Sequence, residues 1–260
     1  MSIKRQWVDL GVGVVLVVVV VLGFGVASEA RSAMQCASVV VESHDHMKVK
    51  FLTHDRLLGM LRGKMGDPVG HPLLSINTHE VESMVSSLAP VAKCDAYVDM
   101  DGRLCVMVKQ REAIARVMPR RGESWYIARD GYVFTAMPGY VSPALVVSGA
   151  VRALPAEGTP SRLDGAAGDF YSQLYGFLRE VYDDAFWRAQ IAQVYVRDTS
   201  NVELVPRVGS QIVLLGEMTG YEYKLRKLCS LYAAALPGNG LNQYDRIELR
   251  YGKQVVCKRK

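Results

Sequence analysis

Three histidines early in the sequence are the first residues whose spacing could support chemistry. His44, His46 and His54 lie in the stretch ESHDHMKVKFLTH. On a strand, the spacing His-x-His places two imidazoles on one face, where they could bind a zinc ion. The same spacing is equally typical of a solvated loop, and no cysteine, histidine or carboxylate follows at a recognisable ligand spacing. We therefore predict neither a metal site nor a cofactor.

An acidic pair and several serines are the other candidates for catalysis. Asp183 and Asp184 could share a proton as a dyad, but the apolar periodicity before them places them at the end of a helix, where such pairs are usually solvated. Ser172, Ser210 and Ser230 have no neighbouring histidine that could act as a base. Phosphate-binding, dinucleotide-binding and zinc-protease motifs are also missing from the sequence. The sequence therefore predicts a protein that is not an enzyme.

Composition narrows the possible partners. The net charge is +5, and the basic residues form no stripe interleaved with aromatics, so nucleic acid is not an expected partner. No small-molecule substrate is expected either. Five cysteines without a C-x-x-C spacing indicate neither a disulfide framework nor a zinc site, and burial as small apolar side chains is their expected role. They are Cys36, Cys94, Cys105, Cys229 and Cys257.

A long apolar run dominates the start of the chain. Residues 10–27 contain no charge, and a helix of these 18 residues would be about 27 Å long, close to the roughly 30 Å hydrocarbon core of a membrane. A cleaved signal peptide is the alternative, but its apolar region would usually be shorter. Lys4 and Arg5 precede the run, which places the N-terminus in the cytoplasm. We predict a cytoplasmic tail over residues 1–9, a single transmembrane helix over 10–28, and a periplasmic remainder.

Residues 36–110 predict a module with the element order β-α-α-β-β. A β-branched run within Cys36–Glu42 indicates the first strand, and a helix follows Thr53. Asn77 is placed to cap the second helix, with Glu80 at its third helical position. A hairpin turning at Asp101-Gly102 completes the module.

The face pattern of this hairpin fixes its loop length. Six small or apolar residues can share one buried face only if the loop holds an odd number of residues, because a slip of one residue turns a strand over. They are Cys94, Ala96, Val98, Leu104, Val106 and Val108. Cys105 then lies on the opposite face, so a disulfide between Cys94 and Cys105 is not expected.

Residues 111–260 predict a larger, β-rich region with two helices. Its first hairpin turns near Asp130-Gly131, a long loop covers residues 152–168, and Asp169 is placed to cap the first helix. Three strands follow, and Thr219 with Glu222 forms a capping box for the second helix, which is expected to run through Leu236. These strands are Ile191–Val196, Val202–Val205 and Ile212–Leu215. With the first module, this gives an α+β fold class.

The end of the sequence predicts one more strand. Ile247, Leu249 and Tyr251 alternate with polar residues in the stretch IELRYGKQVVCK. Chain termini usually fray unless they are tied down, so this strand must complete a sheet or pair with a partner.

These parts in this order resemble the FtsQ/DivIB family of bacterial cell-division proteins. The stretch LLSINTHEVESMVSSLAPVAKCDAYVDMDGRLCVMVKQREAIARV resembles the second helix, the hairpin and the exit of the family's POTRA domain. SWYIARDGYVF and VELVPRVGSQIVLLG are similar to parts of its β domain, and IELRYGKQVVCK resembles the forms found in Bacteroides-like bacteria. Ala113 and Ala128 depart from the proline and aspartate that are common there.

The resemblance implies a non-enzymatic scaffold of the divisome. Its location would be the inner membrane at the septum, with a POTRA domain over residues 36–110 and an FtsQ-type β domain over 111–260. The implied partners are FtsB-like and FtsL-like coiled-coil proteins and other divisome components. Two alternatives stay open at this point: a POTRA-containing secretion or outer-membrane assembly factor, and a secreted enzyme of unknown type.

The resemblance also places the partner-binding patch at the C-terminal strand. Arg250 and Tyr251 match its position, followed by Lys253 and Gln254. An exposed strand edge offers unpaired N–H and C=O groups that a partner strand can bind by β-augmentation. The predicted partner-binding residues are Ile247, Leu249, Arg250, Tyr251, Lys253 and Gln254.

Overall fold

A computed structural model describes most of the chain beyond the apolar run. The predicted cytoplasmic tail, the predicted transmembrane helix apart from Val19, and His44 and His46 lie outside the described residues. No helix within those residues has the length and apolar character needed to span a membrane. The described residues are 19, 34–43, 54–64, 66–136, 142–152, 161–163, 169–235 and 240–260.

The chain divides into two compact units, the first mainly within residues 34–109 and the second mainly within 110–260. The first unit has the predicted order β-α-α-β-β and a sheet with the strand order β1-β3-β2, in which β1 runs parallel to β3. Its elements are β1 (Ser38–Ser43), α1 (His54–Lys64), α2 (Thr78–Ser86), β2 (Val91–Val98) and β3 (Arg103–Gln110).

Helix α2 begins as its sequence predicts. The Asn77 side chain accepts a hydrogen bond from the backbone N–H of Glu80 at 3.3 Å, which satisfies one of the free donors at the helix start. Val81, Met84 and Val85 are buried on the face toward the core, at the spacing of an amphipathic helix.

The hairpin between β2 and β3 has the predicted odd loop. The Asp99 N–H donates to the Arg103 carbonyl at 3.0 Å, which leaves three residues between these paired positions. Gly102 has φ +78, a conformation that favours glycine. The predicted face is buried at Cys94, Ala96, Leu104, Val106 and Val108, and Val98 is half-buried.

The second unit is built on one large sheet. In the described residues it has ten strands in the order β13-β12-β11-β10-β9-β7-β4-β5-β6-β8, so β13 and β8 form its edges. The strands are β4 (Ala113–Pro119), β5 (Trp125–Ala128), β6 (Tyr132–Thr135), β7 (Leu145–Gly149), β8 (Ser161–Arg162), β9 (Ile191–Asp198), β10 (Asn201–Pro206), β11 (Ile212–Gly216), β12 (Tyr244–Glu248) and β13 (Val256–Arg259).

Three α-helices of the second unit lie within the described residues, one more than predicted, and a short 3-10 helix covers Gly240–Gln243. They are α3 (Phe170–Asp183), α4 (Ala185–Gln190) and α5 (Tyr221–Ala235). The six residues of α4 are too few for a visible apolar period, and the Asp184 side chain caps this helix by accepting from the N–H groups of Phe186 and Trp187. The core of the unit includes Leu174 and Phe177 of α3, Leu228 of α5, and Val194 and Val213 of the sheet.

Several predicted details of this unit are wrong. The predicted loop over residues 152–168 contains the short strand β8, which pairs with β6. Asp169 stands at the N-cap of α3 without a side-chain hydrogen bond to the helix. The Thr219 hydroxyl donates to Glu217 instead of capping α5, whose first turn is closed by bonds to the Gly220 carbonyl.

The predicted terminal strand is in fact two strands. β12 ends at Glu248, and the chain then turns and returns as β13, which pairs antiparallel with β12. β12 itself runs parallel to β11. Gly252 lies in this turn, and glycine is common in turns. The period-2 pattern of the sequence continues to Tyr251, past the last residue of β12, so it did not show where the strand ends.

Candidate partner-docking surface

Strand β13 presents a free edge of the sheet. The Lys260 N–H donates to the Gln243 carbonyl at 3.1 Å, so it points toward the chain segment that leads into β12. Successive backbone groups of a strand alternate in direction. The N–H and C=O groups of Arg259 and Cys257 therefore point away from β12, where the described residues place no further strand.

Two other strand edges are less open. At β2 of the first unit, the Glu82 carboxylate accepts the backbone N–H of Ala96 at 2.8 Å, so a side chain of the protein already occupies that donor. At the far edge of the large sheet, β8 has only two residues. Shortening and covering are common ways in which proteins protect sheet edges. β13 is longer, with four residues, and no strand among the described residues pairs with its outer edge.

The six predicted partner-binding residues fall into two groups. Ile247 and Leu249 are 0% exposed and belong to the core, so their side chains cannot contact a partner. This corrects the prediction for these two residues. The other four lie in the turn between β12 and β13, and all are exposed: Arg250, Tyr251, Lys253 and Gln254.

Lys227 of α5 holds this turn in place. Its ammonium group donates hydrogen bonds to the carbonyls of Leu249 at 2.9 Å, Gln254 at 3.3 Å and Tyr251. Burial lowers the pKa of Lys227. This contact could not be predicted from the sequence, because Lys227 stands more than twenty residues before the turn and lies within an ordinary helical pattern.

Replacing Lys227 should loosen the turn while leaving the sheet intact. We expect Lys227→Met to raise the hydrogen-exchange rates of the turn amides by about tenfold, since hydrogen bonds to a charged group typically contribute about 1.5–3 kcal/mol and this group is partly exposed. Exchange measured by mass spectrometry on peptides spanning the turn would show the change. Lys109→Met, at an exposed position of the first unit, is the control. Unchanged exchange in Lys227→Met would contradict the role of this lysine.

Arg250 is positioned by two neighbours. Its aliphatic stem lies over Gly216, where a Cβ atom would come within 2.6 Å of the Arg250 Cγ. Gly216 also has φ +78, so two separate constraints favour glycine there. The Arg250 guanidinium donates to the Glu248 carboxylate at 2.7 Å, and this hydrogen bond raises the pKa of Arg250.

A polar cleft of about 280 Å³ lies beside Arg250 and is also lined by Arg197, Glu203 and Arg246. Glu203 is nearly buried and accepts from the Arg197 guanidinium at 2.9 Å. Within the described residues, Arg246 has no ion pair or side-chain hydrogen bond. The cleft therefore holds the half-buried guanidinium of Arg246, which can donate hydrogen bonds to a carboxylate of another molecule.

Three of the residues considered for catalysis have structural roles: Asp183, Asp184 and Ser230. Asp183 forms an ion pair with Arg129 at 2.8 Å, and Asp184 caps α4, so the two carboxylates do not form a dyad. The Ser230 hydroxyl donates to the Arg226 carbonyl of its own helix. His54 lies in α1, and the described part of the chain contains no group of three or more potential metal ligands.

The cysteines differ in exposure and are expected to differ in reactivity. Burial, together with the nearby Glu82 and Asp95 carboxylates, raises the pKa of the Cys94 thiol to about 11, whereas Cys229 is exposed. Because the thiolate is the reactive form, a maleimide at pH 8 should label Cys229 of the folded chain and leave Cys94 unmodified. Mass spectrometry of labelled peptides would test this. Fast labelling of Cys94 would contradict its buried position. The other thiols are Cys36 and Cys105, both buried, and the half-buried Cys257.

Each of the two units matches a known protein family. The family described as "FtsQ/DivIB, C-terminal related" matches residues 112–258. A POTRA-like domain matches residues 34–109. A comparison with curated proteins gives no match to the chain.

Proposed function

Because the chain belongs to the FtsQ/DivIB family, as the match over residues 112–258 shows, we propose that it is a membrane-anchored divisome scaffold that docks a coiled-coil partner at its C-terminal sheet edge. The domains of this family indicate a cell-division scaffold role at the septum through protein–protein interactions, and the family is generally non-enzymatic. The match favours this role over a secretion or outer-membrane assembly factor and over a secreted enzyme.

We further propose a single-pass anchor in the inner membrane. Residues 10–28 would form the transmembrane helix, with the N-terminus in the cytoplasm and both compact units in the periplasm. The uncharged apolar run and the two basic residues before it support this topology.

The observation that carries the docking proposal is the free edge of β13 beside a fixed, exposed turn. A strand of an FtsB-like protein, in complex with an FtsL-like protein, would bind the outward backbone groups of Cys257 and Arg259. Tyr251 and Arg250 would supply side-chain contacts, since tyrosine and arginine are enriched among residues that dominate binding energy. The cleft at Arg246 would accept a carboxylate of the partner.

A pull-down tests the docking proposal. The detergent-solubilised full chain should retain the coiled-coil complex from the same cell, and Tyr251→Ala and Arg250→Glu should each weaken binding by about thirtyfold, corresponding to about 2 kcal/mol. Tyr97→Ala is the matched control, because Tyr97 is 44% exposed and Tyr251 is 46% exposed. Equal binding by all variants would contradict docking at this turn.

Depletion in the cell tests the broader role. Loss of a divisome scaffold should stop septation while growth continues, so that the cells become filaments, and a fluorescent fusion of the full chain should gather at the division site. Normal division after complete depletion would contradict the role.

A further inference from the structure

One end of the first unit exposes four large apolar side chains. Met34 is 39% exposed, Val69 42%, Leu74 72% and Met100 96%. We call these four residues the apolar tip. Single exposed apolar residues are common on proteins, but several at one location usually mark an interaction surface.

Backbone contacts bring the tip residues together from three segments of the chain. The segments are the residues before β1, the loop between the two helices and the hairpin turn. Three hydrogen bonds join them: Leu73 N–H to Met34 O at 2.9 Å, Gly70 N–H to Cys36 O at 2.8 Å, and Ala37 N–H to Gly102 O at 2.9 Å. The Gly102 Cα also lies against Leu73, since a Cβ there would be 3.7 Å from the Leu73 Cδ1.

The tip lies at one end of the small sheet. β1 and β3 are parallel and both begin at this end, whereas β2 ends there. The end of α2 at Ser86 leads into the start of β2 and so lies at the opposite end. β2 has eight residues and spans about 25 Å, which separates Ser86 from the tip.

The position of the tip along the chain brings it close to the membrane. About six residues, 28–33, connect the end of the apolar run to Met34, and a fully extended segment of this length reaches about 20 Å. The headgroup layer on each side of the hydrocarbon core is about 5–8 Å thick. This step rests on the proposed transmembrane anchor.

Three carboxylates beside the tip are held by two arginines, so none of the three is isolated. Arg103 forms ion pairs with Asp99 and Asp101, each at 2.7 Å. Arg62 pairs with Asp67 at 2.8 Å. Paired charges oppose approach to the headgroup layer less than isolated carboxylates would.

We infer that the apolar tip inserts into the headgroup layer of the membrane next to the transmembrane helix. Its side chains project from the hairpin turn, the loop between the helices and the segment before β1. The apolar faces of interfacial helices enter the boundary between headgroups and acyl chains to a depth of about 5–10 Å, and the tip would enter the same layer. Methionine is unbranched and flexible, so it adapts to irregular lipid packing. The tip would hold the first unit against the membrane by a second contact, independent of the partner.

Fluorescence quenching in vesicles tests this inference. The full chain, with the more accessible Cys229 and Cys257 replaced by serine, is given one new cysteine at Met100→Cys, Leu74→Cys or Ser86→Cys. Each variant is labelled with an environment-sensitive fluorophore and reconstituted at a low protein-to-lipid ratio into phosphatidylcholine–phosphatidylglycerol vesicles that carry nitroxide-labelled acyl chains. Ser86→Cys is the control, because this exposed position lies at the opposite end of the unit.

Insertion predicts that the labels at 100 and 74 are quenched at least about threefold more than the label at 86. Equal quenching at the three positions would overturn the inference. Flotation of the same samples separates this result from failure of the proposed anchor. If the chain floats with the vesicles but the tip labels are not quenched, only the tip inference fails; if the chain does not float, the anchor and the tip inference both fail.

Discussion

Arg259→Pro is expected to lower the affinity of the chain for the coiled-coil complex by at least about tenfold, whereas Arg259→Ala leaves it nearly unchanged. The Arg259 N–H points away from β12, so proline removes a donor that the fold does not use. It also places a ring where a docking strand would lie, and proline is tolerated at an outward-facing position of an edge strand. Alanine keeps the N–H and removes only an exposed side chain.

This pair of variants separates backbone pairing from side-chain contact. Affinity would be measured by biolayer interferometry with the detergent-solubilised full chain, and circular dichroism would show that both variants keep the wild-type fold. If the alanine and proline variants lose affinity equally, the arginine side chain and not the strand edge is the binding element. If neither loses affinity, docking at β13 is wrong.

Ile247→Ala is expected to lower the free energy of unfolding of the second unit by about 2–5 kcal/mol. Ile247 is completely buried in the core, and alanine would leave a cavity there. Tyr251→Ala, four residues later but in the exposed turn, should change the same free energy by less than about 1 kcal/mol. Urea unfolding followed by tryptophan fluorescence reports on this unit, because Trp125 and Trp187 are buried in its core.

These two variants distinguish a core residue, Ile247, from a partner-binding residue, Tyr251. Ile247→Ala should reduce partner binding only as far as it unfolds the unit, and Tyr251→Ala should reduce binding without unfolding. A small stability loss in Ile247→Ala, or a large one in Tyr251→Ala, would contradict this division.

Local signals in the sequence predicted much of the fold correctly. The capping pattern at Asn77 and the odd loop before Arg103 depend on residues close together in the chain, so sequence reasoning could find them. The α+β class and both hairpins followed from the same kind of pattern. The short helix α4 and the strand β8 were missed, since neither is long enough to show a period.

The candidate site was only partly predictable. The alternating pattern at Ile247 and Leu249 indicated a strand but could not show that both edges of β12 are already paired, one with β11 and the other with β13. The return of the chain as β13 moved the free edge from Tyr251 to Cys257 and Arg259. Lys227 could not be found from the sequence, because its contacts with the turn exist only after α5 packs near the end of the sheet. The apolar tip likewise depends on segments that are distant in sequence.

Hydrogen exchange of the full chain with and without the coiled-coil complex is the most direct test of the central claim. Docking at β13 predicts that the bound partner slows exchange of the amides of Cys257 and Arg259, which pair with no other strand of the described residues, and leaves the amides of β2 and β8 unchanged. Protection confined to the first unit, or to the opposite edge of the large sheet, would contradict docking at the C-terminal edge.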